Sequence, residues 1–358
     1  MTGTYTLSPK YMKHYTLIIC IIVSILASCS GNRATEAEGG DTISMRHARL
    51  VRAIKKGDTL RMEIINPWDT TTLLRSILVR VPLERAAIYS ATHAALLQEL
   101  GASKHIGGIF DTPYLSNTYL RKALHNGDIK DLGNSNAVDL ERLMELTPDV
   151  LMPSPYENQG GYGRLEQMGV PIIECADYME HSPLARAEWM RIYGILFGVE
   201  ERADSLFKAI EDRYNHLKTL ASLSSHRPRL LTERPLSGTW YVPCGGSTTG
   251  ILYADAGADY IFADIPGSGA AALSIERVLD RATDADIWLI KNFGPLDRRM
   301  LAQDCPATAH IKARLMVCDT QKVPFFEETP FHPDLLLENL IYVFHPELNR
   351  KPCRTYFE

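Results

Sequence analysis

Between Arg85 and Phe344, short apolar runs alternate with windows of helical period, and one long helical stretch, Pro183 to Ser222, divides the alternation in two. Alternation of this kind predicts parallel sheets covered by helices, because parallel strands need a crossover that packs back onto the sheet. In the first set the predicted strands are Ala86 to Ser90, Ile106 to Phe110, Val150 to Pro153 and Pro171 to Cys175, with helices over His93 to Leu100, Val138 to Leu146 and Tyr162 to Met168. In the second, Arg229 to Glu233, Ile287 to Lys291 and Arg314 to Cys318 read as strands, and Thr248 to Ala256, Ile275 to Ala282 and Pro333 to Phe344 as helices. The long stretch breaks near Gly198. From Glu200, the residues Ala203, Leu206, Phe207, Ile210, Tyr214 and Leu217 recur at i, i+3, i+4, i+7, which makes an amphipathic helix. The predicted fold class is α/β, with two Rossmann-like lobes, each on a parallel sheet, joined by one long helix. That helix is expected to be rigid, because it holds neither proline nor glycine.

Ahead of the first lobe, Met45 to Pro82 alternates loosely, with Gly57-Asp58 between two strand-like runs, and predicts an N-terminal β-hairpin extension with a following edge strand. The expected organisation is a signal segment over 1–28, a flexible tether over 29–44 and the β extension over 45–84. The first lobe follows over 85–198, the linking helix over 199–225 and the second lobe over 226–358. A hydrophobic content of 45% in 358 residues supports two cores of this size. Lys plus Arg total 38 against 43 Asp plus Glu, a net charge of −5, which gives no global attraction to nucleic acid.

At the amino terminus, Lys13 and His14 precede an apolar run, Tyr15 to Ala27, too short to span a bilayer. The run ends in Leu26-Ala27-Ser28-Cys29, the layout of an export signal. The Leu-Ala-Ser-Cys order resembles a bacterial lipoprotein box, which implies lipidation of Cys29 and an envelope location; a cleaved secretory peptide with an incidental cysteine is the alternative. Met12 is an alternative start. Residues Ser30 to Asp41 are small and polar, as a tether requires. Five cysteines follow Cys29, an odd number without a C-x-x-C pair. They read as core residues, with a Cys305–Cys318 bridge left open.

No G-x-S-x-G elbow, Walker A loop or H-E-x-x-H helix occurs, so an enzyme on this scaffold has no nucleophile to name. No His-rich loop or H-x-H pair suggests a direct metal site, and no resident cofactor is expected.

Two segments share one pattern. Asn136-Ala-Val-Asp-Leu-Glu-Arg-Leu-Met-Glu-Leu-Thr-Pro-Asp-Val-Leu-Met is echoed by Leu273-Ser-Ile-Glu-Arg-Val-Leu-Asp-Arg-Ala-Thr-Asp-Ala-Asp-Ile-Trp. Together with Leu165 to Ile173 and Gly194 to Ala203, they resemble the periplasmic solute-binding proteins of ABC importers, in the class that carries iron-siderophores, haem and cobalamin. The resemblance covers roughly Arg85 to Pro346. It implies a non-enzymatic, monomeric, lipid-anchored carrier that takes an iron complex (siderophore or haem) between its lobes and hands it to a permease dimer. A cobalamin or cobinamide carrier is the alternative within the class, and an orphan capture or sensor lipoprotein the alternative outside it. By position in the repeated unit, Glu141 and Glu276 are the implied permease-docking carboxylates; ordinary solvated helix charges are the competing account.

Ligands of open α/β sheets bind beyond the carboxyl ends of the strands. The candidate windows there are 90–93, 111–114, 155–162, 177–181, 233–241 and 292–293. From these we single out Ser90, His93, Tyr156, Glu157, Asn158, Tyr162, Tyr178, His181, Arg234, Trp240 and Tyr241 as candidate ligand-binding residues, since rings offer area and polar tips orientation. Arg186 is a further charged candidate, as are the N–H groups opening the helix after Gly245-Gly246-Ser247.

Overall fold

The hairpin turn at Gly57-Asp58 forms where the alternation breaks. A computed structural model of the chain, which describes residues 39–157, 161–348 and 351–358, places antiparallel strands β1 (Val51–Lys56), β2 (Thr59–Ile65) and β3 (Leu73–Arg80) there. Gly57 takes the left-handed φ of 59° that this tight turn requires. Leu60, Met62 and Ile64, one face of β2, are fully buried. They join the same core as the first lobe, so the extension is a layer of that lobe and not an appendage.

The first lobe contains β4 (Ala86–Ile88), α1 (Ala91–Glu99), β5 (Ile106–Ile109), α2 (Thr118–Asn126), β6 (Lys130–Asp131), α3 (Leu140–Leu146) and β7 (Val150–Met152). Its sheet is parallel, in the order β6-β5-β4-β7. Strand alternation divides its two faces: Ala86, Ile88, Val150 and Met152 enter one core, while Ala87 and Leu151 enter a second with Phe110, Leu143 and Leu165. The expected strand at Pro171 to Cys175 is reduced to one bridge, Ile172 with Leu151, because the chain turns at once into a 3-10 segment, Ala176–Met179. The helix expected over Tyr162 to Met168 is a single turn, α4 (Arg164–Gln167).

Helices α5 (Pro183–Leu196) and α6 (Glu200–Ala221) follow, separated at Gly198, which adopts φ 68°. Gly194 permits their close crossing: a Cβ there would lie 2.5 Å from that of Ala203. The second lobe contains β8 (Arg229–Thr232), β9 (Pro235–Leu236), β10 (Thr239–Pro243), α7 (Thr248–Asp255), β11 (Asp259–Tyr260), β12 (Ala270–Leu273), α8 (Ile275–Arg281), β13 (Ile287–Asn292), α9 (Arg298–Asp304), β14 (Arg314–Asp319), α10 (Phe325–Glu328) and α11 (Pro333–Phe344). Its parallel sheet runs β11-β8-β13-β14, and an antiparallel trio, β9-β10-β12, stands beside it. The chain divides into units Met1–Asp41 and Thr42–Glu358, and both lobes belong to the second.

Helix α6 serves both cores. Ala203, Phe207 and Ile210 belong to the core of the first lobe, and Tyr214, Leu217 and Ala221 to that of the second. The repeated sequence unit also recurs as structure. Asp139 and Ser274 cap α3 and α8, both seven residues long and both leading into a parallel strand. The aspartate that closes each unit then buttons it to the first strand of its lobe. Asp149 accepts the N–H of Arg85 at 2.9 Å and returns its own N–H to the Arg85 carbonyl. Asp286 makes the same exchange with Arg229, accepting its N–H at 2.8 Å.

The signal segment, Cys29 and most of the tether lie outside the described residues, as does Asn158. Among the described residues no helix is long and apolar enough to cross a membrane. Cys175, Cys244, Cys305, Cys318 and Cys353 are all unbridged, and Cys318, a residue of β14, is fully buried.

Candidate functional site

The loops that leave the two sheets at their carboxyl ends face one another. Tyr114, beyond β5, meets Phe293, beyond β13, edge to face with ring centroids 6.3 Å apart. Both rings are otherwise exposed, at 72% and 63%. Tyr156 beyond β7, Tyr241 within β10 and Phe326 in α10 are also exposed rings. Solvated aromatic side chains on facing loops supply contact area without the core packing that would explain them elsewhere.

Two acidic residues just beyond the strands adopt left-handed backbone: Asp111 at φ 54° and Glu233 at φ 63°. Such strain collects at functional sites. Asp111 is held by Ser135, which donates its N–H at 3.1 Å and its hydroxyl at 2.5 Å. Glu233 is paired with Lys291 at the end of β13.

At one end of the cleft, α10 crosses from the second lobe to the first. Thr92 donates its hydroxyl to the Phe326 carbonyl at 2.6 Å, and the buried Glu327 carboxylate accepts N–H groups from Ser116 at 2.7 Å and Asn117 at 3.0 Å. His332 reinforces the crossing by a 2.8 Å ion pair with Glu99 of α1. On the inner side of α10 lies a cavity of about 150 Å³, lined by Arg186, Thr248, Thr249, Leu252, Lys291, Phe325 and Phe326 among others.

The singled-out residues divide between this cleft and its supports. Tyr156 and Tyr241 are exposed, Glu157 lies in the same turn as Tyr156, and His181 is half-exposed beside Glu180 at 3.3 Å. Tyr178 ties the loop down by donating its hydroxyl to the Pro155 carbonyl at 2.5 Å. Ser90 is committed to capping α1, its hydroxyl accepting from the Thr92 N–H at 3.2 Å. Arg234 braces its own lobe, donating to Asn292 at 3.2 Å and Asp304 at 3.3 Å.

Three placements differ from the sequence-based expectation. Trp240 is fully buried, donates its indole N–H to the Thr232 carbonyl at 3.0 Å and packs on Trp288. The reason is strand alternation in β10, which turns Trp240 inward and Tyr241 outward. His93 is buried rather than facing the cleft: Nε2 lies 2.8 Å from Asp177, and Tyr193 and Phe331 pack against the ring. Asp177 itself is fully buried, which pushes its carboxyl up. His93 and Arg186 more than offset this and hold it below the usual range. Tyr162 sits away from the facing loops, under the Arg75 guanidinium of β3 at 5.5 Å. Tyr114 and Phe293, inside the candidate windows but not singled out, and Phe326, in no window, are the rings the sequence reading missed. A single aromatic in a loop carries no signal of exposure until the partner lobe is in place.

Glu141 and Glu276 occupy equivalent positions, each the second residue of its seven-residue helix, and both are exposed. Among the described residues, no group of three His, Cys, Asp or Glu side chains is placed to hold a metal ion.

Two parallel-sheet lobes, a shared backbone helix and a cleft of strand-end loops define a two-lobed solute-binding protein. Residues 87–314 match the profile of the periplasmic binding protein family, and the chain belongs to that family. Among solved structures it is similar to a periplasmic haem-binding protein from Pseudomonas aeruginosa, with 19% identity and a TM-score of 0.59 over 77% of this chain and 97% of that one. An ABC-type Fe3+-hydroxamate transport system protein from Saccharomonospora viridis gives 16% identity and a TM-score of 0.58, over 78% and 97%. Among curated proteins, an uncharacterized lipoprotein of Methanocaldococcus jannaschii is 28% identical over 223 residues, 59% of this chain and 53% of that protein. A second lipoprotein of that organism is 24% identical over 111 residues, 30% of this chain and 28% of its own. The chain thus spans about half or less of the length of the curated relatives it matches.

Proposed function

We propose that the protein is the solute-binding component of an ABC importer, a non-enzymatic carrier that captures an iron complex, siderophore or haem, between its lobes and delivers it to a permease dimer. The observation that carries this reading is the meeting of Tyr114 and Phe293, exposed rings on strand-end loops of opposite lobes. A large flat or aromatic ligand covers such rings on both sides, and burying them on binding supplies the apolar driving force. Tyr156, Glu157, Tyr178, His181 and Tyr241 surround it in this reading, and Asn158 joins them on the sequence alone. Ser90, His93, Arg234 and Trp240 act behind it, holding the loops, and Tyr162 takes no direct part.

The lipoprotein box at Cys29 anchors the carrier to the envelope membrane as a monomer, and the small, polar residues after it separate the lobes from that anchor. Glu141 and Glu276, matched in position on two lobes, pair with basic residues of the two permease subunits and so set register and encounter rate. Cobalamin or cobinamide is the second ligand class.

The test is a thermal-shift screen of the protein lacking the residues up to Cys29 against haem, cobalamin, cobinamide and ferric siderophores. A true ligand at about 100 times its dissociation constant adds roughly 2.7 kcal/mol of stability. Failure of every compound to shift the transition would sink the ligand assignment. Uptake that survives replacement of both glutamates by alanine, with ligand binding retained, points instead to an orphan capture or sensor lipoprotein.

A further inference from the structure

The cavity behind α10 is too small, at about 150 Å³, for a whole haem or siderophore, yet it is built unlike a packing void. Its walls are largely apolar, with Leu252, Phe325 and Phe326, and its charged contributors are two cations from opposite lobes, Arg186 on α5 and Lys291 at the end of β13. Resting on the reading of the cleft as the ligand site, we propose that this cavity is a subsite for a short apolar arm of the ligand that ends in a carboxylate, with Arg186 and Lys291 receiving the anion.

The guanidinium is already oriented for this. Arg186 donates Nε to the buried Asp177 at 3.1 Å, and among the described residues its Nη1 and Nη2 have no protein partner. A planar fork fixed at one nitrogen and open at the others suits a bidentate carboxylate. Asp177 does not cancel this site, since its charge is shared with His93 at 2.8 Å and the Tyr193 hydroxyl at 3.2 Å. Lys291 has Glu233 as its partner, so a ligand carboxylate there joins an existing pair rather than meeting a bare ammonium.

Thr248 and Thr249, the first residues of α7, add hydroxyls and two N–H groups that no carbonyl of the helix can accept. The helix start closes tightly on the loop before it because of glycine: a Cβ on Gly250, the third residue of α7, would stand 2.3 Å from the Cys244 carbonyl oxygen. The chemistry selects acid-bearing ligands, such as a porphyrin with free propionates or a carboxylate siderophore. It selects against corrinoids whose arms end in neutral amides, because an amide leaves the cation uncompensated.

The test uses a pair of probes of equal shape, 3-phenylpropionate and 3-phenylpropionamide, titrated into the protein without its lipid segment by calorimetry and saturation-transfer NMR. The expected result is that the acid binds at least about tenfold more tightly than the amide, and that Arg186→Gln and Lys291→Gln each erode the difference. Lys291→Gln serves as the independent variant, because Arg186 also supports Asp177. Equal binding of acid and amide, no binding of either at millimolar concentration, or an acid preference that survives both substitutions overturns the inference. A parallel haem titration separates the two levels. Haem binding without phenylpropionate binding removes the subsite and leaves the cleft, whereas no binding of haem or of any ligand in the screen removes the cleft itself.

Discussion

Glu327, carried by the second lobe, accepts the backbone N–H of Ser116 in the first at 2.7 Å. The same carboxylate takes the N–H of Asn117 and the Ser116 hydroxyl, so one buried side chain satisfies three donors across the lobe junction. Glu327→Ala leaves two N–H groups without their acceptor at a part-buried contact, and we expect a loss of about 1–3 kcal/mol. Urea denaturation measures it. A change below about 0.5 kcal/mol would show that water replaces the carboxylate freely.

The amino-terminal strap offers a parallel case. Fully buried Glu188 on α5 accepts N–H groups from Arg46 at 2.8 Å, His47 at 2.7 Å and Ala48 at 2.8 Å. Glu180 does the same for Arg49 at 2.9 Å and Leu50 at 2.8 Å, and also receives the Trp189 indole N–H at 3.0 Å. Glu211 on α6 pairs with Arg46 and with His47 at 2.7 Å. Three carboxylates thus hold the segment where the tether enters the folded unit. Glu188→Ala is expected to abolish hydrogen-exchange protection at residues 46–48 and to cost about 2–4 kcal/mol, leaving exchange in the β13–β14 pair of the second lobe slow. Unaltered protection at the strap would refute this account.

His332 gives the junction a pH dependence. Burial opposes its charge, but Asp334 and Glu99 outweigh that and push its pKa up to about 9, from 6.5. A histidine whose folded pKa is raised contributes stability that is complete below about 6.5 and disappears as pH rises through about 9. The size is of order 1–3 kcal/mol for a group this buried. The difference in melting temperature between the protein and His332→Gln should therefore be largest near pH 6 and shrink between pH 7 and pH 9.5. A difference that is constant over that window would mean the ring is not charged in the fold.

Much of this architecture is legible in the sequence, and the boundary of legibility has a physical cause. The helix–strand units ending in Asp149 and Asp286 are written locally, in caps, apolar periods and a strand start, so periodicity finds them. The β9-β10-β12 trio is not, because two-residue β9 is too short to carry a period and β12 lies far along the chain from β10; helix α2 does carry local signals, the Asn117 cap and the Gly127 stop, that the reading of apolar periods passes over. Trp240 and Tyr241 show the same limit within the site. The two are adjacent and equally aromatic, and only the register of β10 against β12, Trp240 opposite Leu273, decides which ring is core and which faces solvent. The strap carboxylates were equally hidden, since Glu188 in an amphipathic window looks solvated until the extension folds over it.

Helix α6 bears on how the cleft closes. At 22 residues it is about 33 Å long, holds no proline or glycine, and buries Phe207 and Ile210 in one core and Tyr214 and Leu217 in the other. A large rotation between lobes must bend this helix or strip side chains from one of two packed cores, and must also break the Glu327 crossing at the other end of the junction. Closure by a few degrees needs neither. X-ray scattering of the protein without its lipid segment should therefore give a radius of gyration near about 20 Å for the folded part, unchanged by a saturating ligand to within about 0.5 Å. Glu327→Ala alone should leave this value in place, because the helix remains. A ligand-dependent contraction beyond that margin in the unaltered protein would show that the junction hinges despite α6, and the reading of this helix as a stiff strut would then be lost.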